Sequence, residues 1–341
     1  MTRPGAGPGG TAEEGRTPVN VRKVSIAICT WNRCESLDRT LDALRALRIP
    51  AGIAWEVIVV NNNGTDATDA VVTSYQDRLP VLLLQEPTPG LSYARNRALR
   101  AATGDIMVWT DDDVLVDAGW IERILNGFAQ FDADFVFGPS TPVWAEGTAP
   151  VWFSDLHHGK LALIDYGREP FIVKDLSTPF FGLNFAVKRD LLVALGCFRE
   201  DLGVKEESGG GEDIDLFRRA VNAGRRIVYV PDAVVQHVIP PIRTTRAFHR
   251  QKLKAGLPIY YQMLEDQYHA QPWLLGVPRF LYGKLLKDGV GYARSVLARD
   301  PASRFHYELQ ILKFTGVYRQ AAARRRSRAR HSASAAPGRQ A

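Results

Sequence analysis

Three cysteines, Cys29, Cys34 and Cys197, are all that the 341 residues contain. The number is odd and the spacing matches neither a disulfide framework nor a zinc site, so a reducing cytoplasm is expected. No run approaches the roughly 18 apolar residues of a membrane-spanning helix. The opening segment, "MTRPGAGPGGTAEEGRTPVN", has no apolar stretch, which argues against a secretory signal, and its glycine and proline content predicts disorder over 1–20. No GxGxxG follows the first strand pattern and no Walker A motif occurs. The glycine run Gly209-Gly210-Gly211 precedes an acidic helix start instead of following a strand. A dinucleotide site and a P-loop are therefore not expected.

What is present is ordinary in bulk and uneven in charge. Apolar residues make up 45% and charged residues 23%, as in soluble globular proteins. The length allows one large domain or two. Residues 1–245 carry 25 Lys/Arg against 32 Asp/Glu, a net of −7, whereas residues 246–341 carry 18 against 5, a net of +13. Such asymmetry suggests that the C-terminal part meets an anionic surface, membrane or nucleic acid. The alternative is a solvated basic face with a floppy tail.

The periodicity is that of an α/β protein. "KVSIAICTWN" reads as a strand, and "SLDRTLDALRAL" as a helix with Leu37, Leu41, Leu44 and Leu47 on one face and Ser36 as its N-cap. "WEVIVVNNNGTD" is a second strand ending in turn residues, and "LPVLLLQE" a third. "LSYARNRALRAAT" is a helix closed by Gly104, and "DIMVWT" a fourth strand. This order predicts a mainly parallel sheet flanked by helices. Ligands of such sheets bind beyond the carboxyl ends of the strands. Thr30 to Arg33, Asn61 to Asn63 and Asp111 to Asp113 all lie at such ends and are expected to converge on one crevice.

The last of these groups, in "MVWTDDDVLV", sets three carboxylates at the end of a run otherwise fit for burial. Desolvating them is costly, so they belong on the rim of a pocket. In the second half, Glu212 and Asp213 fall at the start of a helix running from Ile214 to Ala223. Acids there complement the helix dipole; the functional alternative is a general base at a loop–helix junction. "RRIVYVP" is a further strand, and "AVVQHV" continues past a bend to His237. A histidine beside three acids suits a divalent cation.

Together, "SIAICTWNR", "EVIVVNNNGTD", "GLSYARNRAL", "GDIMVWTDDDV", "GLNFAVKRDLLVALGCF" and "GGGEDIDLFRRAVNAGRRIVYVPDAVVQH" resemble glycosyltransferase family 2, from about Val24 to Val238. The resemblance implies a GT-A-type nucleotide-diphospho-sugar transferase fold over 21–245, with a helical C-terminal extension over 246–320 and a basic disordered tail over 321–341. It implies inverting transfer of a sugar from a UDP, GDP or dTDP donor to a hydroxyl of a saccharide or lipid-linked acceptor, in bacterial cell-envelope polysaccharide or glycolipid synthesis. By the same resemblance Asp111 and Asp113 bracket a DxD motif, with Asp113 the direct ligand of Mn²⁺ or Mg²⁺ and His237 a further contact to the metal or diphosphate. Asp213 matches the acceptor-activating base. Thr30, Asn32, Arg33, Arg95, Asp112 and Glu212 match positions around the nucleotide sugar. Asn61 stands where the family usually has an acid near the nucleobase; an amide both donates and accepts, a carboxylate only accepts, so the nucleotide stays open.

In the C-terminal third, Tyr282, Leu286, Val290, Ala293 and Leu297 share a helical face, with Lys284, Lys287 and Arg294 opposite. Either the helix packs on its own domain, or it lies in a membrane interface and makes a cytoplasmic enzyme peripheral on the inner membrane face. No nucleic-acid partner is expected. Trp144, Trp152, Phe153 and Tyr166 are candidates for stacking on an acceptor sugar or for core. Two other readings compete: a non-catalytic scaffold binding membrane or nucleic acid through its basic end, which has no need of Asp111, Asp113 and Asp213 together, and a nucleotidyltransferase, which calls for a glycine-rich basic loop where "CTWNRCES" stands.

Overall fold

The computed structural model describes residues 21–145, 147–178, 180–205 and 208–334; the disorder expected of 1–20 lies outside them. The elements are β1 (Lys23–Thr30), α1 (Cys34–Leu44), β2 (Ala54–Asn61), α2 (Thr68–Ser74), β3 (Val81–Gln85), α3 (Leu91–Ala101), β4 (Ile106–Asp111), β5 (Val114–Val116), α4 (Trp120–Phe131), β6 (Phe135–Phe137), β7 (Ser140–Trp144), β8 (Phe171–Ile172), β9 (Asn184–Lys188), α5 (Arg189–Ala194), β10 (Gly203–Lys205), β11 (Ser208–Gly210), α6 (Glu212–Asn222), β12 (Ile227–Tyr229) and β13 (Val235–Ile239). Then come α7 (Arg246–Tyr268), β14 (Trp273–Leu274), β15 (Val277–Pro278), α8 (Phe280–Leu297) and α9 (Pro301–Ser334). The chain divides into two compact units, one of residues 1–148, 158–206 and 210–240, the other of 149–157, 207–209 and 241–341.

In the first unit eight strands form one sheet in the order β3-β2-β1-β4-β9-β6-β12-β8. β1 to β4 run parallel, β9 runs against both β4 and β6, and β12 is parallel to β6. A sheet covered on both faces needs strands apolar on both faces. "KVSIAICT" supplies this: Ile26 and Ile28 pack with Leu37, Leu41 and Leu44 of α1, and Ala27 with Ala94 and Ala98 of α3. A small second sheet, β5-β13-β7, stands beside the first.

Several local expectations shift. α1 starts at Cys34, with Ser36 already inside its first turn. No local cap is needed, because Asp66 accepts the Cys34 N–H from across the loop at 2.8 Å. The turn after β2 holds α2, whose start is fixed by the same Asp66 accepting both the N–H and the hydroxyl of Thr68. Its seven residues are too few for a helical period to stand out. α3 ends in an extended Ala102, not at Gly104. Gly104 is required elsewhere: a Cβ there would lie 2.6 Å from the Ser25 backbone nitrogen.

In the second unit α7 and α9 pack through Leu257, Tyr261, Leu264, Val317 and Ala321. The basic run expected as a disordered tail from 321 is helical to Ser334. Alanine and arginine are strong helix formers, and Arg324 pairs with Glu265 of α7; 335–341 lie outside the described residues. Trp152 is core here, edge-on to Phe305, and Tyr166 of the first unit packs against Phe171 and Tyr229. Among the described residues no helix is long and apolar enough to cross a membrane.

Asn184, the first residue of β9, ties the first unit together. Its Oδ1 accepts from Trp120 Nε1 at 3.0 Å, and its Nδ2 donates to the carbonyls of Pro139 at 2.9 Å and Ala233 at 2.7 Å. It is 2% exposed. Asn184→Ala strands the Trp120 N–H and the Ala233 carbonyl, each costing about 1–3 kcal/mol, while the Pro139 carbonyl keeps the Val235 N–H. A loss of about 3 kcal/mol or more in urea unfolding is expected; a loss below 1 kcal/mol would show that water replaces the amide.

Candidate active site

The register of the central strands sets the site. Cys29 lies opposite Asp111, so the ends of β1 and β4 are level and Thr30 meets the acids. Thr30 Oγ1 donates to Asp112 Oδ2 at 2.7 Å, and Thr40 of α1 donates to the Asp112 carbonyl at 3.0 Å. Asn32 is left-handed, φ 51°, a conformation asparagine tolerates, and its Oδ1 accepts the Thr65 N–H at 2.7 Å. After this reversal Arg33 lies over the acids, with Nη1 3.0 Å from Asp112 Oδ1 and 3.2 Å from Asp113 Oδ2.

His237, on β13, is 3% exposed. Its Nδ1 is 2.9 Å from the Leu161 carbonyl, which can only accept, so Nδ1 donates. Nε2 then faces Asp113 Oδ1 at 3.4 Å, an arrangement that takes a proton or a cation between two acceptors.

Side chains alternate along β4, so Asp111 faces away from Thr110 and toward α3. Arg95 of α3 is 3% exposed. Its Nη1 pairs with Glu212 Oε1 at 2.8 Å, and its Nη2 is 3.9 Å from Asp111 Oδ1 and 3.3 Å from the Gly182 carbonyl. Its guanidinium lies over Phe198 at 5.2 Å. Gly182 also donates its N–H to Asp213 Oδ2 at 2.7 Å. A Cβ on Gly182 would come 2.8 Å from Arg95 Nη2 and 3.0 Å from Asp213 Oδ2, so only glycine lets these two groups flank the same backbone.

Asp111 to Asp113, Thr30, Asn32, Arg33 and His237 are thus drawn together, with Arg95, Glu212 and Asp213 beside Asp111. Three expectations change. Asp111 and Asp113, expected to bracket one motif, lie in different settings, because β4 ends at Asp111 and the chain turns there: the Asp111 side chain is 41% exposed, those of Asp112 and Asp113 only 5% and 7%. Asn61 is committed to its own loop, donating to Asp69 at 2.7 Å and accepting from Gly64 N at 2.9 Å. Arg95 is buried under Glu212 instead of lying open to a nucleotide. Sequence reasoning missed Gly182, Thr40 and the Leu161 carbonyl; of these only Gly182, just before the β9 pattern, left a trace.

Burial dominates the acids' behaviour. It pushes Asp112 up to about 6, with Arg33 and Thr30 pulling down and Asp113 pushing further up. It pushes Glu212 up to about 7, aided by Asp213 and opposed by Arg95, a cation that Glu212 shares with Asp111. Among the described residues no three His, Cys, Asp or Glu side chains form a ready-made metal cluster. The donors nevertheless suit Mn²⁺ or Mg²⁺: carboxylates and an imidazole lie together, and a guanidinium already fills the need for positive charge between two of the acids.

The family model "Glycosyl transferase family 2" matches residues 25–195, and the chain belongs to that family; it is a glycosyltransferase. It is 29% identical over 307 residues, 88% of its length and 93% of the relative's, to the succinoglycan biosynthesis protein ExoM of Rhizobium meliloti (strain 1021). Its fold is similar to that of a mannosyltransferase from Pyrobaculum calidifontis in complex with GDP-Man and Mn²⁺, with a TM-score of 0.57, 21% identity and 87% of each chain covered. It is also similar to that of S. aureus TarS 1–349 in complex with UDP-GlcNAc, with a TM-score of 0.52, 16% identity and coverage of 87% and 92%. The sheet and its helices are thus a GT-A-type architecture, followed in the chain by C-terminal helices.

The raised Glu212 carboxyl has a consequence for stability. A carboxyl whose folded pKa lies above its unfolded value makes the folded state bind more protons, so stability falls as pH rises between 4.5 and about 7. Glu212→Gln should flatten that fall in urea midpoints measured across the interval. An unchanged slope would mean that Arg95 keeps Glu212 ionised throughout.

Proposed function

We propose that the enzyme transfers a sugar from a nucleotide diphosphate to a hydroxyl acceptor with inversion, with the help of a divalent cation. One observation carries this reading: among the described residues, Asp111, Asp112, Asp113, Glu212 and Asp213 gather around two guanidiniums, Arg33 and Arg95. Such a site repels a diphosphate unless further positive charge accompanies it. Asp111, Asp113 and His237 are the residues that would hold Mn²⁺ or Mg²⁺, which neutralises the charge gathering on a leaving diphosphate.

The remaining roles belong to the chain. Thr30 and Asn32 fix the loop that borders the nucleotide, through Asp112 and Thr65. Gly182 N–H holds Asp213 in place as general base. The acceptor oxygen gives its proton to Asp213 and bonds to the anomeric carbon. The bond from that carbon to the diphosphate oxygen breaks with its electron pair on the diphosphate, and attack from the opposite side inverts the centre. Likeness to a succinoglycan biosynthesis protein supports a polysaccharide or glycolipid of the cell envelope as the setting. GDP-Man and UDP-GlcNAc in similarly folded enzymes leave UDP, GDP and dTDP donors to a direct screen.

A panel of nucleotide sugars, with and without Mn²⁺, tests the reading. Transfer should require the ion and stop with EDTA. Asp213→Asn should keep donor binding within a few-fold while turnover falls by at least roughly 10²-fold, the low end for base catalysis. Donor binding lost together with turnover would make Asp213 a structural group, and full activity in EDTA would remove the metal from the scheme.

A second reading concerns α8. Leu286 is 71%, Val290 46% and Leu297 84% exposed, so the apolar face is open to solvent from Leu286 onward, whereas Tyr282 packs against Phe314. Lys287 and Arg294 are exposed near it, whereas Lys284, expected with them, is held by Asp288 at 2.7 Å and Gln310 at 3.1 Å. We propose that this face docks on the anionic inner face of the cytoplasmic membrane. Two cations at about 1 kcal/mol each amount to roughly thirtyfold in affinity. Co-sedimentation should require anionic vesicles, weaken with salt and fall by that order in the Lys287→Gln, Arg294→Gln double variant. Equal binding to neutral and anionic vesicles would end this reading.

A further inference from the structure

We propose that Arg33 is a stand-in cation. In the free enzyme its guanidinium occupies the charge position on Asp113 that a divalent ion takes on binding, and it gives that position up to the ion. The inference rests on the metal-dependent reading above and concerns what the ion must displace.

The contrast between the two arginines supports it. Arg95 is fixed: its side chain is 4% exposed, it pairs with Glu212 at 2.8 Å, it donates to the Gly182 carbonyl, and its face is covered by Phe198. Arg33 is 45% exposed, and one nitrogen, Nη1, makes both its contacts, to Asp112 and Asp113. The acids beneath are 5% and 7% exposed, so the guanidinium covers them from the solvent side, the side from which an ion arrives.

The carboxylates need a cation whether or not donor is bound, since adjacent buried acids cannot both stay ionised without one. They do not share it equally. Asp112 has further support from the Thr30 hydroxyl, and its backbone carbonyl is held by Thr40. Asp113 is the one that also faces His237 Nε2 at 3.4 Å, the remaining donor for an ion. Exchange of Arg33 for a divalent cation at Asp113 adds one positive charge and leaves Arg33 within reach of Asp112. It also frees guanidinium donors whose planar geometry suits phosphate oxygens. Arg33 therefore opposes the ion when the ion comes alone and assists once a diphosphate arrives with it, so its removal has opposite signs in the two cases.

The test is Mn²⁺ binding without nucleotide, read as free Mn²⁺ by electron paramagnetic resonance, on wild type, Arg33→Gln and Arg33→Lys. Arg33→Gln should bind Mn²⁺ roughly tenfold tighter, the equivalent of one charge-assisted contact, with Arg33→Lys between the two. Equal or weaker affinity in Arg33→Gln overturns the inference and leaves the metal reading standing; no Mn²⁺ uptake by any of the three overturns both. Should Arg33→Gln fail to fold, the wild-type chain decides through its guanidinium nitrogen resonances during Mg²⁺ titration. The Arg33 Nη resonances should shift as the Asp113 contact is lost, and Arg33 resonances unchanged at saturating Mg²⁺ overturn the proposal.

Discussion

Repulsion among carboxylates at the end of one strand is the constraint around which the catalytic unit is organised. Asp111, Asp112 and Asp113 end β4, and the turn sends their side chains to different places. Asp111 meets the α3 side, Asp112 is drawn under Thr30, and Asp113 faces β13. Separation lowers the repulsion, and a guanidinium on each side offsets part of what remains. The β1–α1 loop supplies one guanidinium and α3 the other. A left-handed Asn32, a buried Arg95 and a side-chain-free Gly182 all follow from bringing those two cations to one strand end.

The cations differ in kind. Arg95 is part of the protein's interior, stacked and bonded as a structural group; burial pushes the carboxyl of its partner Glu212 up to about 7 against the pull of that one shared cation. Arg33 is a surface group with buried partners. One guanidinium is thus anchored on every side and the other is open to solvent.

The fold was largely legible in the residues, and the site was legible as a list but not as a geometry. The apolar strands and the leucine stripe of α1 fixed the parallel sheet, since few other arrangements bury such segments on both faces. α2 was too short to show a period, and the start of α1 depended on Asp66, thirty-odd residues away, which no local pattern reveals. Asn61 read as a ligand contact because it ends a strand, yet its amide is spent on Asp69 and Gly64. The different settings of Asp111 and Asp113 were not legible as a motif, because the chain turns where β4 ends. The helix beyond 321 was misread because composition alone does not register Glu265 waiting for Arg324.

β9 runs against its neighbours, so its first residue, Asn184, lies opposite Thr110 at the far end of β4. A parallel strand would offer this rim the loop that leaves it; β9 offers the loop that enters it. The rim is therefore built from two kinds of connection, with the segment through Gly182 arriving where all the others depart. The groups at the strand ends and those placed by Gly182 thus reach one crevice through connections of opposite direction.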